Sequence, residues 1–345
     1  MLFFTTSCGD EKQQADLQSG TDSANQSSKE TYKVLACSFP EYSWLQAIIA
    51  DKTDKFQLSL MLDEGVDIHS YQASAEDIIA IAEADLFIYN GGTSDSWIGD
   101  ALAEAKNDDL KVFSVMDYLE SELILIHDHD GEDAESDHGH EGDHSHESDH
   151  SHEGDHSHEG EHSHEGLDAY DEHVWLSLQR VMECLIPVKD QIVSSDPDNA
   201  DYYTNNLMEY FTKLVELDKK YIQLAEESEG KTIMIADRFA FRYLVEDYDI
   251  DYLAALSSCS ADTEASFETV AHLSSKAKEL GLKHLLVSKG SDRSLAETII
   301  KNAGLTDCEI LELDPMQNVT KEDLNTKSYI DIMTSNYEVL KAALS

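Results

Sequence analysis

The chain has 345 residues, with 71 Asp or Glu against 24 Lys or Arg and a formal charge of −47. Such an acid excess excludes a nucleic-acid binder, because phosphate contacts need Lys and Arg, and it suits a protein that handles cations. A hydrophobic fraction of 41% can bury a sizeable core, and the length favours two lobes over one small domain.

The N-terminus reads Met-Leu-Phe-Phe-Thr-Thr-Ser-Cys-Gly-Asp, followed by a run rich in Gln, Ser, Asp and Lys through Glu30. Ser7 before Cys8 matches the end of a bacterial lipoprotein signal, where the cysteine is acylated. The segment before it is too short for a full signal peptide and lacks a basic start. The expectation is a truncated or mis-started signal in residues 1–30, with Cys8 as lipid anchor and a flexible polar tether behind it. No stretch is long and apolar enough to span a bilayer.

From residue 31 onward, apolar runs alternate with helical patterns. Strands are predicted at about Lys33–Cys37, Gln57–Leu62, Asp85–Tyr89 and Lys111–Val115. Helices are predicted between them, at about Tyr42–Asp51, Ser74–Ala84 and Asp95–Ala105. A second series places strands at Lys231–Ala236, Lys283–Ser288 and Cys308–Leu313. Helices near Phe239–Asp247, Glu264–Leu280, Arg293–Ala303 and Lys321–Leu344 accompany them. Such alternation predicts an α/β fold of two (βα)-rich lobes with parallel sheets covered by helices. Between them, Asp198–Glu227 holds no Gly or Pro and carries Tyr203, Leu207, Tyr210, Phe211, Leu214, Leu217, Tyr221 and Leu224 at helical spacing. That is one long helix, about 45 Å at 1.5 Å per residue, able to run beside both lobes and join them. The expected organisation is a first lobe over 31–190, a linking helix over 191–229 and a second lobe over 230–345.

Cys37, Cys184, Cys259 and Cys308 form no Cys-x-x-Cys pair. They read as buried apolar residues, although an even count permits two disulfides.

Residues 127–166 interrupt the first lobe with 15 Asp or Glu and 12 of the chain's 16 histidines. From Asp137 a six-residue unit of the type Asp-His-Ser-His-Glu-Gly recurs. It brings His138, His140, His144, His146, His150, His152, His156, His158, His162 and His164. No aliphatic or aromatic residue lies between Ala134 and Leu167, so the stretch has nothing with which to build a packed core. Neutral imidazole binds Zn²⁺, Cu²⁺ and Ni²⁺, and neighbouring carboxylates add attraction. The repeat is therefore expected to be a loop that collects metal ions at many weak sites. Because imidazole titrates near pH 6.5, it should release them below about pH 6.

A selective site needs ligands held by the fold. His69 lies in Leu62-Asp-Glu-Gly-Val-Asp-Ile-His-Ser-Tyr71, just beyond the carboxyl end of the second predicted strand, where open α/β sheets bind ligands. His173 lies in Tyr170-Asp-Glu-His-Val-Trp-Leu176, at the start of a helix directly after the repeat.

The chain resembles the zinc- and manganese-binding proteins of bacterial ABC importers, the family related to streptococcal surface metal-binding lipoproteins. In the first half the resemblance rests on Ser38-Phe-Pro40, Gly65-Val-Asp-Ile-His-Ser-Tyr71, Ala84-Asp-Leu-Phe-Ile-Tyr-Asn-Gly-Gly92 with Trp97, and Asp171-Glu-His-Val-Trp-Leu176. In the second half it rests on Asp196-Pro-Asp-Asn-Ala-Asp-Tyr202 with Asn206, Thr263-Glu-Ala-Ser266 and Leu313-Asp-Pro-Met316. These span about residues 33 to 344 in the family's order, and the His-rich insertion is typical of its zinc members.

The resemblance implies a metal site between the lobes, with His69 and His173 as ligands from the first. The second lobe would supply a His or Glu and then an Asp or Glu, the last matched by Asp314. At the family's His or Glu position stands Arg238, a permanent cation that is no ordinary ligand. Asp237 is the expected substitute, with Cys259 or Glu264 as alternatives. Zn²⁺ is the implied ion, with Mn²⁺, Ni²⁺ and Cu²⁺ remaining open. The implied role is capture of the ion outside the membrane by an anchored monomer and delivery to an ABC permease. A metal-binding adhesin or buffer would use the same fold and site. A zinc hydrolase is disfavoured, because the chain has no His-Glu-x-x-His helix, no Gly-x-Ser-x-Gly elbow and no phosphate-binding glycine loop.

Overall fold

The computed structural model describes residues 31–62, 65–105, 107–126, 170–257, 259 and 265–345. Cys8, the tether, Glu264 and the ten repeat histidines lie outside the described residues.

The first lobe begins with β1 (Tyr32–Ala36), α1 (Phe39–Ile49) and β2 (Phe56–Leu60). It continues with α2 (Ala75–Glu83), β3 (Leu86–Tyr89), α3 (Trp97–Ala105), β4 (Lys111–Ser114) and the single turn α4 (Val115–Tyr118). Its four strands are parallel, in the order β2-β1-β3-β4. Val34, Leu35 and Ala36 on β1, and Leu86, Phe87 and Ile88 on β3, are all buried. Unbroken apolar runs of this kind belong to central strands covered on both faces.

Helices α5 (Leu178–Ser195) and α6 (Ala200–Glu227) follow. The 28 residues of α6 span about 42 Å, and its seven buried apolar residues recur at intervals of three and four. Near its start, Tyr203 meets Phe56 of the first lobe edge-on at 5.7 Å, and Asn206 donates to the Ile48 carbonyl. Near its end, Tyr221 donates to the Met333 carbonyl in the second lobe and stacks on Tyr248 at 4.9 Å. One helix therefore braces both lobes.

The second lobe comprises β5 (Thr232–Ile235), α7 (Arg242–Asp247), β6 (Asp251–Ala254), α8 (Phe267–Leu280) and β7 (His284–Ser288). It ends with α9 (Ser294–Ala303), β8 (Glu309–Leu313), α10 (Lys321–Thr326) and α11 (Tyr329–Ala343). Its parallel sheet repeats the first in the order β6-β5-β7-β8. Residues from both lobes share one apolar core, and a smaller cluster around Met234, Leu285 and Ile299 fills the space under α8 and α9.

Four sequence expectations need correction. The strand β6 was not anticipated: Asp-Tyr-Leu-Ala is too short to show a period, and its edge position leaves it only partly buried. The span expected as one helix over Lys321–Leu344 is two. The first ends at Thr326 with Lys327 in an extended conformation, and Ser328 caps the second, with Asp331 completing a reciprocal capping box. Helix α1 starts at Phe39 rather than Tyr42, with Pro40 in its first turn, where a missing N–H costs nothing. Cys37, Cys184 and Cys259 are buried free thiols, whereas Cys308, expected to be buried as well, is a free thiol that is only half-buried. No helix among the described residues is long and apolar enough to cross a membrane.

Candidate metal centre

Each lobe contributes to one buried cluster. Asp67 caps a 3-10 turn over Ile68–Ser70 by accepting from the His69 N–H at 3.0 Å. This sets His69 just beyond the end of β2. Its Nδ1 lies 2.7 Å from Ser94 Oγ and 3.4 Å from Glu172 Oε2. Ser94 donates in turn to Glu172, from its hydroxyl and from its N–H at 2.8 Å. Glu172 fits there because residue 92 is glycine: with φ +89°, a Cβ would stand 2.8 Å from the Glu172 side chain.

His173 is only 3% exposed. Asp171 Oδ1 accepts from its backbone N–H at 2.9 Å and from Nδ1 at 2.7 Å. The Tyr243 hydroxyl donates to the Asp171 carbonyl at 2.9 Å, and the Arg242 Nε stands 3.6 Å from Asp171 Oδ2. In both histidines Nδ1 is held by a carboxylate or a hydroxyl. That leaves the Nε2 lone pairs to face inward, the arrangement that outer partners of metal-bound imidazole impose.

The two Nε2 atoms are 3.2 Å apart. Two Zn–N bonds of about 2.05 Å at a tetrahedral angle place their nitrogens ~3.3 Å apart, so one ion fits between both rings. The second lobe closes the cluster. Ligand atoms of His69, His173 and Cys259 lie within 4.8 Å of one another. The Gln317 amide Nε2 lies 2.6 Å from His69 Nε2 and 2.5 Å from His173 Nε2.

The groups titrate as a set. Burial opposes charge on His69, but hydrogen bonds to Cys259 and Glu172 outweigh it and raise its pKa to about 8. Burial likewise opposes charge on His173, yet Asp171 and Cys259 push its pKa well above the ordinary value. For Cys259, burial disfavours the thiolate, but the charges and hydrogen bonds of His173 and His69 lower its pKa to about 7. Glu172 is held below the usual carboxylate range: burial works against this, and the hydrogen bonds from His69 and Ser94 prevail. The cluster thus favours a cation at its centre, whether protons or a metal ion.

His69 and His173 come together as the sequence implied, but Asp237 and Asp314 do not join them. Asp237 instead accepts from the Ser288 N–H at 3.0 Å, tying β5 to the end of β7. Asp314 holds Lys289 Nζ at 2.9 Å and accepts from the Met316 N–H at 2.9 Å. That bond, with Met316 at φ +59°, turns the chain so that Gln317 reaches the cluster three residues later. Gln317 was missed because a neutral amide is not among the ligand types a sequence scan counts. Arg238 is exposed, and Cys259, at 5% exposure, enters from the segment after β6.

Two parallel α/β lobes, a bracing helix and a cation-seeking cluster between the lobes define a two-lobed solute-binding protein. The chain belongs to the family described as "Zinc-uptake complex component A periplasmic", whose model matches residues 34–343. The Streptococcus pyogenes zinc-binding protein AdcA is 26% identical over 310 residues, which cover 90% of this chain and 55% of that protein. The chain therefore spans about half the length of the AdcA relatives it matches. The high-affinity zinc uptake system protein ZnuA of Bacillus subtilis is 29% identical, with 94% of this chain and 92% of that protein covered.

Among solved structures, the metal-dependent lipoprotein YcdH of Bacillus subtilis superposes with TM-score 0.68 at 25% identity, covering 91% of this chain and 100% of that one. The Zn(II)-bound ZnuA-like domain of Streptococcus pneumoniae AdcA gives TM-score 0.65 at 22% identity, with 91% and 99% covered, and shares the fold.

Proposed function

We propose that this protein captures a divalent transition metal, zinc foremost, outside the cytoplasmic membrane and hands it to the permease of an ABC importer. The observation that carries the reading is the pair of inward-facing imidazole nitrogens 3.2 Å apart, each anchored from behind by its Nδ1. Relatives named for zinc binding and zinc uptake support the choice of ion.

In this reading His69 and His173 are ligands, and the second lobe closes over the ion. The protein is a carrier rather than an enzyme: a catalytic zinc keeps an open position for water, whereas here Gln317 and Cys259 cover the imidazoles. It acts as a monomer, held at the membrane through a lipid on Cys8. That attachment is supported by the Ser7-Cys8 pair, the polar run behind it and a pneumococcal relative named as a lipoprotein. Mass spectrometry of the bacterially made protein should find acylated Cys8; an unmodified cysteine refutes the anchor.

Zinc titrated calorimetrically into metal-free protein tests the capture site. His69→Ala should abolish tight binding and leave weak binding by the repeat. Tight binding retained in that variant removes His69 from the site.

A further inference from the structure

The second lobe's contribution has a chemical character of its own. Both carboxylates expected there, Asp237 and Asp314, are spent on Ser288 and Lys289. What reaches the imidazoles is a thiol, Cys259, and a neutral amide, Gln317. Two carboxylates already stand behind the rings, Glu172 on the His69 side and Asp171 on the His173 side. The Arg242 guanidinium beside Asp171 offsets one of them, so a dication there is balanced by one further anionic ligand.

Cys259 is held for this position. Arg242 Nη2 donates to the Ser257 carbonyl at 3.0 Å, while its Nε faces Asp171. One guanidinium thus ties the segment presenting Cys259 to the carboxylate that orients His173. On the other side, Trp175 Nε1 donates to the Pro315 carbonyl at 2.9 Å and fixes the turn that delivers Gln317.

We propose that Cys259 is a metal ligand and, with Gln317, sets the ion preference. The site is a two-imidazole, one-thiolate, one-amide cage for thiophilic borderline cations that rejects Mn²⁺, Mg²⁺ and Ca²⁺. On binding, the Cys259 thiol gives its proton to solvent as the sulfur–metal bond forms, and the Gln317 amide turns its Oε1 toward the ion. Thiolate selects zinc-like ions, whereas carboxylate and carbonyl oxygens suit manganese and magnesium.

The inference rests on the proposed capture function, and the two fail separately. Metal-free full-length protein is loaded with one equivalent of Co²⁺ as a spectroscopic probe, and Zn²⁺ and Mn²⁺ affinities are measured by competition. The wild type should show a near-ultraviolet thiolate-to-cobalt charge-transfer band. Cys259→Ser should lose that band, retain cobalt d–d absorption from the two imidazoles, and lose at least about 100-fold in zinc affinity, at or beyond the upper end for outer-shell partners. Cys259→Asp should narrow the preference for Zn²⁺ over Mn²⁺ by a similar factor. Tight zinc binding without the band in wild type, or a band that survives Cys259→Ser, overturns the thiolate assignment alone. A wild type with no tight zinc site overturns the capture function itself.

Discussion

Glu41 is a carboxylate inside the first lobe, with no exposed surface and with its Oε1 unpartnered. Burial raises its pKa from 4.5 to about 6, against the hydrogen bond from Ser38, which lowers it. Asp95 nearby is raised to about 7, by burial first and then by Glu41 and Glu172, although the Gly91 N–H lowers it. A carboxyl group whose pKa rises on folding stabilises the folded state below its unfolded value. That contribution is lost as pH climbs through the folded value. For Glu41 the window is pH 4.5 to about 6, and the shift corresponds to about 2 kcal/mol. Glu41→Gln removes the titration, so its stability relative to wild type should rise by about that amount between pH 4.5 and 7.5. Urea unfolding of metal-free protein at both pH values checks this, and parallel pH curves contradict it. Gly92 offers a second test. Gly92→Ala adds a Cβ that meets Glu172 at 2.8 Å in a left-handed backbone. It should tilt His69 and weaken zinc binding about 10- to 100-fold, as loss of an outer-shell partner does; unchanged affinity by competition titration argues against the Ser94–Glu172 support.

At the scale of elements, the break between α10 and α11 depends on Ser328, whose hydroxyl accepts from the Asp331 N–H while the Asp331 carboxylate accepts from the Ser328 N–H and hydroxyl. Ser328→Ala should cost about 1 kcal/mol in denaturant unfolding, and no loss would mean the helix break is held by packing alone. The pattern Ser-x-x-Asp was in the sequence, but it sits inside a longer helical period that hides the break. The alternation of βα units, the order of both lobes and the α6 stripe were legible because they repeat over many residues. His69 and His173 were legible through their local motifs and their place at the ends of elements. The second-lobe half of the site was not. Cys259 and Gln317 are 58 residues apart in the chain, and only the Asp314–Met316 turn and the segment after β6 bring them to the imidazoles. Asp314 and Asp237 had the right chemistry at the right distance in sequence, yet Lys289 and the Ser288 N–H claim them.

Across the whole molecule, charge and architecture agree. A chain with net charge −47 draws cations toward itself, and the shared core with α6 along both lobes holds the two half-sites at fixed spacing. The repeat over 127–166 lies shortly before Asp171, Glu172 and His173 in the chain, which suits a collector feeding a fixed site. Its weak binding should vanish below about pH 6, since imidazole titrates near pH 6.5. Calorimetry that finds the weak sites undiminished at pH 5 rules out imidazole as their ligand. The central claim is that the selective site lies between the lobes and is independent of the repeat. Calorimetric titration of zinc into metal-free protein lacking residues 127–166 tests it most directly. One tight equivalent retained, with the weak sites gone, is the result the structure predicts; loss of all tight binding would place the function in the repeat and contradict the site built on His69 and His173.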